Sequence, residues 1–242
     1  MRTESAASID AYRLRPWAAL GIAAATICAY ALVPLLFASF AHFMHERLYA
    51  APLTWAADAA IACAWLAALA IIVLLLRLAG VPAQRIVGSF RASDAWFVPV
   101  AFVVGMAFIT AARVAQRWIF HIHAQPNWTT AYFQFERAAP AQVLVFVGIG
   151  IFMGPLVEEL LFRGVILGTL VSRIGFAPAA VVSALLFAAS HRDPTNFAGH
   201  FAMGLVMAAV VRISGRIGPA YCTHGLINLV AFASLAAPFW RR

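Results

Sequence analysis

Glu158 and Glu159 stand side by side in Gly154-Pro155-Leu156-Val157-Glu158-Glu159-Leu160-Leu161-Phe162-Arg163-Gly164, a stretch that is otherwise almost wholly apolar. An ionisable group at membrane depth costs roughly 2.5–3.5 kcal/mol on insertion scales, so carboxylates in such surroundings mark function. Glu159 and Arg163 are four apart, share a helical face and can pair. That pairing keeps Glu159 ionised and leaves Glu158 free to act. Two further patterns follow, Phe187-x-x-x-His191 and His224-x-x-x-Asn228. Each joins residues one helical turn apart. Two carboxylates, two imidazoles and an amide together suit the hydrolysis of an amide bond. A desolvated glutamate is a competent general base towards water. A histidine can orient that water or shuttle its proton. A second histidine and an amide N–H can donate to the developing oxyanion, an effect worth roughly 3–4 kcal/mol per donor.

The chain that must position these groups has 242 residues, 64% hydrophobic and only 11% charged. Its mean hydropathy is +0.89. A soluble domain is nearer 25% charged, so the composition predicts one all-α polytopic membrane domain, a helical bundle. About 20 apolar residues span a bilayer as a helix. Seven stretches qualify or come close: Trp17–Ala41, Ala59–Leu76, Ala95–Ala112, Ala141 through the two glutamates towards Val171, Phe176–Ser190, Phe197–Val211 and Ile217–Trp240. Breakers separate them at Gly80-Val81-Pro82, Asp193-Pro194-Thr195-Asn196 and Ser214-Gly215-Arg216-Ile217-Gly218-Pro219. The longest loop, about 117–140, holds His121, His123, Trp128, Tyr132 and Phe135, and its aromatic residues suit the membrane interface.

All 17 basic residues are arginines. They form no dense block interleaved with aromatics, which argues against a nucleic-acid partner despite the high pI. Scattered at helix ends, they read as topology signals. With the N-terminus inside, ten fall on the cytoplasmic side (Arg2, Arg13, Arg15, Arg77, Arg85, Arg91, Arg163, Arg173, Arg212 and Arg216) and seven on the other, so a cytoplasmic N-terminus is preferred. Cys28, Cys63 and Cys222 show neither CxxC nor zinc-finger spacing and read as buried free thiols.

Glu-Glu-x-x-x-Arg, then Phe-x-x-x-His, then His-x-x-x-Asn, in this order on membrane helices, resembles the CPBP family, the CAAX prenyl protease and Abi bacteriocin-processing intramembrane proteases. The likeness divides the chain into a cytoplasmic tail (1–16), variable helices one to three with their loop (17–140) and a CPBP-like catalytic core of helices four to seven (141–240). It implies an intramembrane endopeptidase in a cell membrane, a bacterial inner membrane by preference. The substrate would be a membrane-associated protein or peptide, of CaaX type, a leader peptide or a sorting tag. Glu158 would activate water with help from His191. His224 and Asn228 would stabilise the oxyanion, with Glu159 and Arg163 supporting the site and Phe187 packing behind it. A zinc ion, if one is used, would take Glu158, His191 and His224 as a His2Glu set. The HExxH helix of zincins is absent, and a metal-free glutamate mechanism is preferred over a metalloprotease one.

Counting from the turn at Ile174-Gly175 puts Glu158 and His191 at one height, ~25 Å along antiparallel helices at 1.5 Å per residue. His224 follows Pro219 by only five residues, so straight spanning helices leave it at another depth. Its convergence with the rest needs a short or tilted sixth helix, or a protruding turn over 163–175. His200 stands alone on the sixth helix and is expected to pack or line a cavity. His42, His45, His121 and His123 are expected in solvated loops. Gly164, Gly168 and Gly204 are expected where helices approach closely. Buried glutamates and histidines would equally suit a non-enzymatic membrane protein: a scaffold, an immunity partner or a proton- or ion-coupled transporter.

Overall fold

The computed structural model describes residues 14–26, 28, 53–121 and 140–240, and every regular element among them is helical. In chain order these are α1 (Pro16–Thr26), α2 (Leu53–Leu78), a short α3 (Ala83–Val87), α4 (Asp94–Phe120), a continuous helical run α5 (140–174), α6 (Phe176–Ser190), α7 (Phe197–Ser214) and α8 (Gly218–Trp240). The expected first span from Trp17 agrees with α1 at its start, and its remainder to Ala41 lies outside the described residues apart from Cys28. The sixth and seventh expected spans agree to within a few residues, and Phe176–Ser190 agrees at both ends.

The third span is longer than its apolar run. α4 continues past Ala112 to Phe120, so Arg113 and Arg117 lie in the helix rather than beyond it. No residue in Ala111–Phe120 breaks a helix, and the end comes at His121, whose φ of 50° is left-handed. Gln116 docks the last turns against the α6–α7 link: its Nε2 donates to the Pro194 carbonyl (2.7 Å) and its Oε1 accepts from the Ala198 N–H (2.7 Å). His123, Trp128, Tyr132 and Phe135 lie outside the described residues, as do His42 and His45.

Among the described helices, Asp94–Phe120 and the stretch Pro194–Ser214 are each long and apolar enough to cross a membrane, and Ala62–Leu78 and Phe176–Ser190 are shorter apolar helices. α4 exposes Trp96, Val100, Val104, Phe108, Val114 and Trp118 along its length. Apolar surface of that extent needs a non-aqueous partner, which places the protein in a membrane.

The core lies between α5, α6 and α7, around Leu160, Leu167, Phe187 and Met207. α6 and α7 touch backbone to backbone: a Cβ on Gly204 would stand 2.7 Å from the Cα of Ala184. The decisive register is between α5 and α8. A Cβ on Gly164 would meet Ile217 at 3.1 Å, so α8 starts beside Gly164 instead of beside the α5–α6 turn. At 1.5 Å per residue, the ten residues from Gly164 to Ile174 put that start about 15 Å along α5 from the turn. The gap is filled by α3, where Ile86 packs on Gly164 and its carbonyl accepts from the Ile217 N–H (3.2 Å).

Candidate active site

The α5–α8 register brings the two ends of the motif set together. Glu158 lies six residues from Gly164, and His224 lies seven from Ile217, in antiparallel helices, so the two reach the same height. His224 Nε2 stands 3.4 Å from Glu158 Oε2, and its Nδ1 stands 2.9 Å from Glu159 Oε1. One imidazole thus bridges both carboxylates. The ring can donate to both only when both nitrogens carry protons; with one proton it serves one carboxylate as donor.

Around this bridge the environments diverge. Glu159 and Arg163 are wholly buried, while the Glu158 side chain keeps 13% of its surface exposed. Arg163 Nη1 lies 3.2 Å from Glu159 Oε1, as the spacing of four predicts. Its Nη2 donates to the Gly204 carbonyl on α7 (3.2 Å), and its guanidinium sits 4.6 Å above the Phe187 ring. Arg163 therefore ties α5 to α7 and neutralises one of the two carboxylates. Glu158 is the member of the pair with access.

Phe187 is the hub of the site. Fully buried on α6, it meets His191 edge-on (centroids 4.6 Å), His224 (5.9 Å) and Phe162 (5.3 Å). The Phe187 carbonyl also pairs with His191 Nδ1 at 2.8 Å. A carbonyl only accepts, so Nδ1 carries a proton, and in the neutral ring Nε2 keeps its lone pair. His191 and His224 thus flank one aromatic ring, and His224 stands beside the carboxylate pair.

The helix that carries the glutamates is irregular on both sides of them. π-helical turns run over Ile149–Met153 and Leu160–Leu167, with Gly154–Glu159 in ordinary α-helix between. Such turns gather at functional sites. In the π turn the Gly154 N–H reaches back to the Ile149 carbonyl, and Pro155 supplies no N–H, so the Gly150 carbonyl, five residues back, loses its helical partner. α8 covers this stretch. Asn228 Nδ2 donates to the Gly150 carbonyl (2.9 Å), and Gly225 comes so close that a Cβ there would stand 3.1 Å from the Ile151 oxygen. One N–H of Asn228 therefore mends the helix, and its second remains for another acceptor.

His200, expected to pack or line a cavity, does pack: its ring stacks on His191, with centroids 4.0 Å apart and planes 23° from parallel. Spacing within one helix gives no sign of this contact, because it joins the end of α6 to the start of α7. Among the described residues no three of His, Cys, Asp and Glu come together as metal ligands.

A membrane-embedded helical bundle with a carboxylate pair, bridged by imidazole and backed by a buried arginine, has the equipment of a membrane hydrolase. The comparisons agree. Residues 140–230 match the family described as type II CAAX prenyl endopeptidase Rce1-like. A Bacillus subtilis (strain 168) protein named "Putative membrane peptidase YdiL" is 26% identical over 187 residues, which is 76% of this chain and 72% of that protein. No solved structure matches. The motif-bearing segment is thus similar to the Rce1-like endopeptidases, and the family match and the relative together support a membrane protease of the CPBP family.

Proposed function

We propose that the protein is a multi-pass intramembrane endopeptidase that hydrolyses a peptide bond in a membrane-associated substrate by glutamate-activated water, without a metal. The observation that carries this reading is the difference within the carboxylate pair: Glu159 is sealed against Arg163 and His224, while Glu158 keeps access and stands 3.4 Å from His224. Glu158 takes a proton from water as the oxygen attacks the acyl carbon. The carbonyl oxygen becomes an oxyanion, received by the protonated His224 Nε2 and the second N–H of Asn228. The proton held by Glu158 then passes to the leaving nitrogen and the C–N bond breaks. His191, with the lone pair of Nε2 available, orients the water. Glu159 holds His224 by Nδ1, fixing the plane of the ring that faces the reacting atoms.

A CaaX-type tail, a leader peptide and a sorting tag all remain within this substrate class, each extended and membrane-bound. The arginine distribution favours a cytoplasmic N-terminus. The test is the isosteric Glu158→Gln variant in reconstituted vesicles with a labelled peptide library. We expect kcat to fall by about 10²–10⁴-fold, the range for a lost general base, with thermal stability unchanged. Cleavage at the wild-type rate by that variant would refute the assignment of the base. Proton-coupled flux without cleavage by the wild type would move the protein to the transporter class.

A further inference from the structure

His191 sits where its own helix cannot hold it. It is the C-cap of α6, one residue past Ser190, and the next residue, Arg192, turns away with a φ of 52°. A side chain at a helix end gains no support from a following turn. Three contacts fix the ring instead. Two come from Phe187: the carbonyl oxygen on Nδ1 at 2.8 Å and the ring edge at 4.6 Å. The third is the parallel stack of His200 at 4.0 Å, delivered from the first turn of α7.

His200 itself behaves as an aromatic surface. Its Nδ1 is buried and makes no hydrogen bond. A buried polar atom without a partner is costly and needs an explanation. Gly199 beside it is bare because Arg113 of α4 lies across it: a Cβ there would stand 2.5 Å from the Arg113 Nε. With Gln116 pinning the same stretch through Ala198, the first turn of α7 is anchored to α4 and carries His200 at a fixed position.

We propose that His200 is a positioning residue for the peptidase reaction: its ring, stacked on His191, holds that imidazole in the one orientation that presents Nε2 to the reacting water. The role is that of a flat aromatic plate and draws on no proton of His200. This rests on the peptidase reading above, and the experiment separates the two. A displacement of about 1 Å in a catalytic group can cost up to 10²-fold, so the loss on removing the plate is large and falls on kcat.

The test compares wild type, His200→Ala and His200→Phe as full-length protein in vesicles. His200→Ala should lower kcat by about tenfold or more with KM nearly unchanged, while His200→Phe, which restores a flat ring, should recover most of it. Imidazole NMR on histidine-labelled protein supplies a readout independent of turnover. His191 should give one Nδ1-protonated tautomer in wild type and His200→Phe, and an averaged signal in His200→Ala. Should His200→Ala fail to fold, His200→Gln takes its place. Unchanged kcat and an unchanged His191 signal in the folded non-aromatic variant would overturn the proposal, as would a loss in His200→Phe as deep as in His200→Ala. If the wild type cleaves no peptide, the peptidase reading fails and the His191 signal alone decides the positioning claim.

Discussion

Two identical side chains one residue apart are given opposite tasks by what surrounds them. Glu159 has no exposed surface and faces Arg163, also without exposure, together with His224 Nδ1. Removing its charge leaves the guanidinium buried with no anion in contact. Breaking a buried pair from one side costs about 3–5 kcal/mol. Glu159→Gln should therefore lower thermal stability sharply, whereas Glu158→Gln should not. Adding Arg163→Met to Glu159→Gln should return part of the loss, because the stranded charge is then gone. Equal melting midpoints for the two single variants would remove the distinction on which the choice of base rests. The Glu159–Arg163 pair was legible in the sequence, since a spacing of four on a helix is enough to predict it. The bridge from His224 to both carboxylates was not. It depends on where α8 starts along α5, and that is decided by Ile217 seating on Gly164, a contact no periodicity records.

Hydropathy marks where apolar helices begin and end, and α6 was read residue for residue. It is silent on features that come from backbone partners supplied elsewhere. The π turns around the glutamates, the repair of the Pro155 gap by Asn228, and the eight extra residues of α4 pinned by Gln116 all belong to that kind. The small residues were a partial guide. Gly164 and Gly204 both stand at close approaches, but their partners could not be named beforehand. Gly204 is the sharper case. A methyl group there would stand 2.7 Å from both Cα and Cβ of Ala184, and backbone cannot yield as a flexible side chain does. Its carbonyl also receives Arg163 Nη2. Gly204→Ala should thus push α7 off α6 and loosen the arginine at once. We expect a loss of about 1–3 kcal/mol, the usual range for overpacking, measured as a fall in melting midpoint, with peptidase activity reduced beyond the fraction unfolded. A variant with wild-type stability would mean that the helices separate freely at this point, contrary to their backbone contact.

At the scale of the whole molecule, α4 is fastened at its two ends and, between them, packs one narrow face on the core and exposes the rest. At one end Asp94 takes a two-pronged ion pair from Arg216, 2.7 Å on each arm, and Arg216 also donates to the Ser89 carbonyl (3.0 Å). At the other end Gln116 grips the α6–α7 link. Between the clamps only 17% of the most apolar window is buried. Val104, near the middle, is 61% exposed. In water such a position would accept a charge with little effect. In a bilayer the same arginine costs roughly 2.5–3.5 kcal/mol at the centre of a helix. Val104→Arg and Val104→Leu therefore separate the two surroundings without touching the core or the carboxylate site. The leucine variant should insert and purify from membranes as wild type does. The arginine variant should show a reduced inserted fraction, and whatever inserts should retain the wild-type kcat, since the site lies on α5, α6 and α8. Equal insertion of the two variants would mean that this face of α4 meets water or another protein surface, and the membrane would have to be sought on a different side of the bundle.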